Sequence, residues 1–231
     1  FQRHLTIIDK EHTPQNMKGR FEDMLHLAEN MIDFYILYNG PECGASAPDH
    51  MHFQAAGKEE SLSTPFFKDF LNDIIEQTDF DDVPAIVNSY ANNTFITSIG
   101  LASILRSELI EKFENIYNIL STFYGKEPLI NIIAWYAIDS TKHGEDDEVV
   151  AWNCVIFLRS KHRPDCYYNQ GEKGLLISPA VAEMGGVFPI IREEDMDKLN
   201  TKEIIDIYKE ISLSPEQFET LCDELFRKDE V

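Results

Sequence analysis

Basic residues are scarce in this chain. Its 231 residues hold 20 lysines and arginines against 41 aspartates and glutamates, for a formal net charge of -21 at pH 7. Nucleic acid and anionic membrane surfaces would repel such a molecule, so neither is expected as a partner. A small phosphorylated ligand feels only the local field, so the few cations gain meaning where they cluster. Cysteine is scarce as well: Cys43, Cys154, Cys166 and Cys222 stand far apart and form no Cys-x-x-Cys pair. That spacing argues against a disulfide framework or a zinc knuckle and for reduced thiols in a cytoplasmic setting. No run of about 18 apolar residues occurs, so no transmembrane helix is expected. The chain opens at Phe1 with neither an initiating methionine nor a signal-peptide pattern, and a preceding N-terminal portion is expected. Internal repeats and low-complexity tracts are absent too. What is plentiful is core-forming: 43% of residues are hydrophobic and 11% aromatic, enough for one large domain or two halves around a shared core.

Periodicity outlines an α+β chain. Leu5 to Ile8 reads as a strand, and Pro14 is placed to start a helix whose Phe21, Met24, Leu25 and Ala28 recur at helical spacing. Ile32 to Tyr38 and His50 to Ala56 read as strands flanking a loop from Asn39 to Asp49, an antiparallel pair. A second helix is expected from Pro65, with Phe66, Phe67, Phe70, Ile74 and Ile75 as its apolar stripe. Val83 to Tyr90 and Thr94 to Ile99 form a hairpin turned at Ala91-Asn92-Asn93. A long helix follows from about Ala102 to Phe123. Leu129 to Ile138 and Val149 to Leu158 are strand-like across the acidic tip Gly144 to Glu148. Ala180 to Ile191 carries Gly185-Gly186 and is expected to end in a strand. From Glu193 onward the chain reads as acidic and helical, with Ser214-Pro215-Glu216-Gln217 as a helix start. The expected architecture is an antiparallel sheet with helices packed on it. Residues 1–125 make one half and 126–231 a second, joined in a compact unit.

The segment His50-Met51-His52-Phe53-Gln54 carries the chemistry. As a strand it sends His50, His52 and Gln54 to one face and Met51, Phe53 and Ala55 to the other. Two imidazoles and an amide then line up beside the loop that holds Gly44, Ala45 and Ser46. Backbone N–H donors in such a loop can hold phosphate oxygens while an imidazole attacks phosphorus, and His52 is the nucleophile the pattern favours. Gln54 weighs toward group transfer rather than hydrolysis. An amide donates to a phosphate oxygen but is no general base for water. Two histidines at i and i+2 can also share a metal ion. No third ligand is evident beyond Asp49 or Cys43, so neither a metal nor another cofactor is called for. The alternative without chemistry is a strand with solvent-facing histidines.

A second basic cluster, Arg159-Ser160-Lys161-His162-Arg163-Pro164, ends the Val149 to Leu158 strand. Read functionally, Arg159 and Lys161 share a strand face and clamp phosphates; read structurally, they are a positive patch. Lys10 and His12 are weaker candidates of the same kind, and His4, His26 and His143 have no context that marks them.

Asn39-x-Pro41-x-x-Gly44-Ala45-Ser46 followed by His50-x-His52-x-Gln54 resembles the histidine-triad superfamily. It is most similar to the transferase branch that contains galactose-1-phosphate uridylyltransferase, diadenosine tetraphosphate phosphorylase and GDP-L-galactose phosphorylase. The order of His12-Thr13-Pro14-Gln15, the motif, and Ser178-Pro179-Ala180 through Gly185-Gly186 also resembles a related bacterial family of Bacteroides-type organisms. The resemblance implies a histidine-triad antiparallel sheet with flanking helices and a duplicated, diverged second half. It implies a covalent nucleotidyl-histidine at His52. The main-chain carbonyl of His50 would accept from the His52 ring, and Ser46 and Gln54 would contact phosphate, beside Asn39 and Gly44 of the same motif. The implied donors are a nucleoside diphosphate sugar or a dinucleoside polyphosphate, the acceptors phosphate or a sugar phosphate, and a homodimer is a possible assembly. Two departures accompany it. Ala47, Pro48 and Asp49 separate the serine from the first motif histidine where the relatives have two residues, and no zinc-binding cysteine pair is present. The alternative function is a nucleotide-binding or regulatory module that keeps the pocket without the chemistry, and a metal-dependent hydrolase comes third.

Overall fold

The computed structural model describes residues 3–58, 85–88, 96–139 and 149–225. Among these residues seven strands form one sheet: β1 (His4–Ile8), β2 (Phe34–Asn39), β3 (His52–Gly57), β4 (Ala85–Asn88), β5 (Ser98–Ser103), β6 (Ile130–Asp139) and β7 (Val149–Leu158). Their spatial order is β1-β3-β2-β6-β7-β5-β4, with each neighbouring pair antiparallel. The α+β class and the antiparallel sheet expected from the sequence are therefore observed. The β6–β7 hairpin sits at the centre, between strands from residues 34–39 and 98–103, so the sheet runs unbroken across the 125/126 boundary.

Among the described residues six helices flank the sheet: α1 (Phe21–Asn30), α2 (Arg106–Tyr124), α3 (Val181–Met184), α4 (Glu193–Met196), α5 (Thr201–Ile211) and α6 (Pro215–Leu225). α1 buries Phe21, Met24, Leu25 and Ala28, the i, i+3, i+4, i+7 stripe of an amphipathic helix. α2 buries Leu109, Phe113, Ile116, Tyr117 and Leu120 and stops at Gly125, whose left-handed φ of 65° closes the last turn. These helices and α6 cover one sheet face, against Ile36, Phe53, Ala55, Ile132, Ala134 and Ile156. On the opposite face α5, with Leu175, Ile177, Val181 and Met184, covers Tyr35, Leu37, Ile133, Trp135, Val155 and Phe157. Ser214 and Gln217 form the expected capping box at the start of α6: Gln217 N–H donates to Ser214 Oγ and Ser214 N–H to Gln217 Oε1.

Several boundaries differ from expectation. Helix α1 starts at Phe21 rather than Pro14, because residues 13–17 are held in a loop by contacts described below. β5 extends to Ser103, so the following helix begins four residues later than its apolar period suggests. No strand ends the 180–191 segment: α3 and a short turn take up its first part and residues 187–191 are irregular. The helix expected from Pro65, the Ala91-Asn92-Asn93 turn and the acidic 144–148 tip lie outside the described residues. No helix among the described residues is long and apolar enough to cross a membrane. All four cysteines are unpaired, and burial pushes the Cys43 thiol up to about 12.

Candidate active site

Strand β3 starts at His52, not His50. His50 N–H donates to Ala47 O and Met51 N–H to Thr13 O, which pulls both residues out of the ladder and into a clasp between the 9–15 and 47–51 loops. Alternation holds from His52 onward. Phe53 and Ala55 join the α1–α2 core, while His52 and Gln54 face the other way. The register sets Ile8 beside His52 and Thr6 beside Gln54. Ile8 is 65% exposed and Thr6 exposed, so the edge beside the motif is open although His52 itself is only 4% exposed. A cavity of about 360 Å³ between α1 and this edge has His52 in its wall, with Ile7, Asp9, Lys10, Arg20 and Phe53.

The His52 ring has one fixed contact. Its Nδ1 lies 2.8 Å from the main-chain carbonyl of His50. A carbonyl oxygen only accepts, so Nδ1 carries the proton and Nε2 carries the lone pair. The His50 carbonyl is in turn steadied by its own side chain, whose Nε2 donates to Asp9 O at 2.9 Å. The Asp9 carboxylate accepts from the Glu11 amide and pairs with Arg20 at 2.6 Å, which together hold its carboxyl below the usual range. The His12 ring lies 4.6 Å from the His50 ring, tilted by 50° to it, and pairs with Asp49 at 3.3 Å. The His50 imidazole is thus turned to the Asp9 carbonyl, and it is the His50 main chain that meets the His52 ring.

With this geometry in hand, comparison with known proteins is informative. No curated protein sequence matches the chain. Residues 1–57 match a domain of unknown function, DUF4922, and residues 151–229 match the GDPGP1-like C-terminal domain. The fold is similar to that of yeast Ap4A phosphorylase Apa2, solved in complex with AMP. The match has a TM-score of 0.56 and 15% identity over 91% of this chain and 68% of that one. The chain shares the Ap4A phosphorylase fold. At that identity the likeness is one of architecture, and what each residue does is read from the site itself.

Within this Ap4A phosphorylase fold the remaining candidates fall into two groups. Asn39 is buried, and its Oδ1 accepts from Asn131 Nδ2 at 2.7 Å and from Val181 N–H at 2.8 Å, tying β2 to β6 and to the start of α3. Gly44 has φ +91°, and a Cβ there would stand 2.5 Å from Ala180 Cβ and 2.8 Å from its Cα. Only glycine lets the 40–46 loop lie this close to the 179–180 segment. Ser46 is exposed in the same loop. Gln54 is half-buried, one rung along the strand face from His52.

Arg159 and Lys161, expected on one face as a clamp, are not presented together. Arg159 is fully buried. Its guanidinium donates to Asn131 Oδ1, Pro179 O, Lys161 O and His162 O at 2.8–3.3 Å, and burial pulls its pKa down. Lys161 lies at the surface, paired with Glu210 and with Asp165. The strand ends at Leu158, so the alternation that would have aligned the two cations stops before them.

Gln15, which the sequence gives no role of its own, is a buried polar group beside His52. Its carboxamide accepts from His52 N–H at 2.9 Å and donates to His52 O at 3.1 Å and to Asn39 O at 2.9 Å. In the sequence it is one polar residue of a turn, and nothing in a turn's composition reveals that its amide will be enclosed between two strands.

Proposed function

We propose that the protein is a nucleotidyltransferase or phosphorylase that carries a nucleotidyl group on His52. The observation that supports this reading is the His52 ring: Nδ1–H is committed to the His50 carbonyl, which leaves the Nε2 lone pair for attack on phosphorus. The Ap4A phosphorylase fold and the match to the GDPGP1-like C-terminal domain support the same class. In the first step Nε2 attacks the α-phosphorus of a nucleoside diphosphate sugar or dinucleoside polyphosphate. An N–P bond forms as the P–O bond to the leaving phosphate ester breaks. Phosphate or a sugar phosphate then attacks the same phosphorus and the N–P bond breaks. The Nδ1–H bond to His50 stabilises the positive charge that the ring gains as the N–P bond forms and gives up as that bond breaks, and Gln54 donates to a phosphate oxygen. Ser46 is a further phosphate contact in the same loop.

The test is intact-protein mass spectrometry at neutral or higher pH after incubation with GDP-, UDP- and ADP-glucose and diadenosine tetraphosphate. A gain of one nucleoside monophosphate is expected in the wild type and none in His52→Ala. Gln54→Ala should slow turnover roughly 10²–10³-fold, the loss typical of one oriented donor to a charged transition state. Equal turnover of wild type and His52→Ala would refute the reading, and binding without an adduct would make the protein a nucleotide-binding module instead.

A further inference from the structure

We infer that Gln15 is a positioning residue for His52, an assignment that rests on the covalent reading above. The β2–β3 register runs Phe34↔Gly57 to Leu37↔Gln54, so two residues further along a rung would join Asn39 to His52. That rung is not made directly. The Gln15 carboxamide occupies it, taking His52 N–H, His52 O and Asn39 O in place of one another. A direct rung holds paired Cα atoms about 4.5–5.5 Å apart. A carboxamide between the strands spaces them wider at the one place where the ring of His52 stands. The ring and the His50 carbonyl that holds it both hang on the 50–52 backbone, so a change in the course of that backbone stretches the Nδ1–carbonyl contact and turns Nε2.

The carboxamide is itself held rigidly. Gln15 is only 2% exposed, and its N–H donates to Pro48 O at 3.0 Å. Two residues on, Met17 N–H donates to Glu127 Oε1 at 3.2 Å, and Tyr117 O–H donates to Glu127 Oε2 at 2.5 Å, so the turn is pinned to α2 and the loop after it. Gln15 touches no reacting atom. Its effect on chemistry comes through the orientation of His52, where a misplacement of about 1 Å costs on the order of 10²-fold.

Gln15→Met, which keeps the volume and loses all three hydrogen bonds, tests the assignment, with Gln15→Glu beside it. The same four donors are used, and three quantities are read: the single-turnover rate of adduct formation, the affinity for the donor, and the His52 ring tautomer by ¹⁵N NMR of the unliganded protein. Folded Gln15→Met is expected to form the adduct about 10–100-fold more slowly with donor affinity within about twofold. It should also lose the distinct Nδ1–H signal. Gln15→Glu should recover rate as pH falls, because only the protonated carboxyl can accept from His52 N–H while donating to a carbonyl. A wild-type rate in Gln15→Met, a loss explained wholly by weaker binding, or unfolding of both variants would overturn the assignment. A wild type that forms no adduct would instead overturn the covalent reading. The tautomer signal then decides Gln15 alone: its loss in Gln15→Met sustains the positioning role and its persistence ends it.

Discussion

At the scale of single residues, the contrast between His52 and Arg159 shows how burial sorts candidate groups. Both are enclosed, yet His52 keeps one ring nitrogen uncommitted while Arg159 is held by one side-chain and three main-chain oxygens. Arg159 fastens the 159–162 turn, Pro179 and Asn131 to one another, and through Asn131 and Asn39 it reaches the amide of Val181. Removing it strands several buried acceptors, each costing about 1–3 kcal/mol when left unsatisfied. Arg159→Met should therefore lower unfolding stability by about 3 kcal/mol or more, measured by urea denaturation. Lys161→Met, whose ion pairs are partly solvated, should change it by less than about 1 kcal/mol. Similar values for the two would contradict the structural role given to Arg159.

At the scale of elements, Lys58 joins the end of β3 to β6 across β2. Its Nζ donates to Tyr136 O at 2.7 Å and lies 5.7 Å from the Tyr35 ring centroid. Burial, only partly offset by Asp33, lowers the amine from 10.5 to about 8. The folded protein therefore releases this proton near pH 8, whereas the unfolded chain holds it to about 10.5. Between those values the unfolded state binds more protons, and stability rises with pH. Wild type should accordingly gain stability relative to Lys58→Met between pH 7.5 and 10, read from urea unfolding at each pH. A flat or falling difference would show that the amine is not desolvated. The clasp of the 9–15 and 47–51 loops is the other element-level device. It converts a strand end into a loop that aims one imidazole and anchors a second.

At the scale of the whole molecule, the β6–β7 hairpin from the second half of the chain lies between strands of the first, so one continuous sheet draws on both halves. Thermal or urea unfolding should follow a single transition, with far-ultraviolet circular dichroism and the fluorescence of Trp135 and Trp152 coincident. Two resolved transitions would show that the halves fold separately. Much of this was legible in the sequence. Periods of 3.6 and 2 are local properties of the chain, and they located α1, α2, the β6–β7 hairpin, the capping box of α6 and the face of β3 that carries His52 and Gln54. The helix start at Pro14 and the strand start at His50 were misplaced because contacts between the 9–15 and 47–51 loops overrode local preference there. Residue order determined which groups were available: an imidazole and an amide two apart beside a glycine loop. Only the tertiary structure decided their roles. Burial and hydrogen-bond partners depend on which segments meet, and that meeting turned Arg159 into an internal fastener, gave His50 a supporting task, and set the amide of Gln15 between two strands.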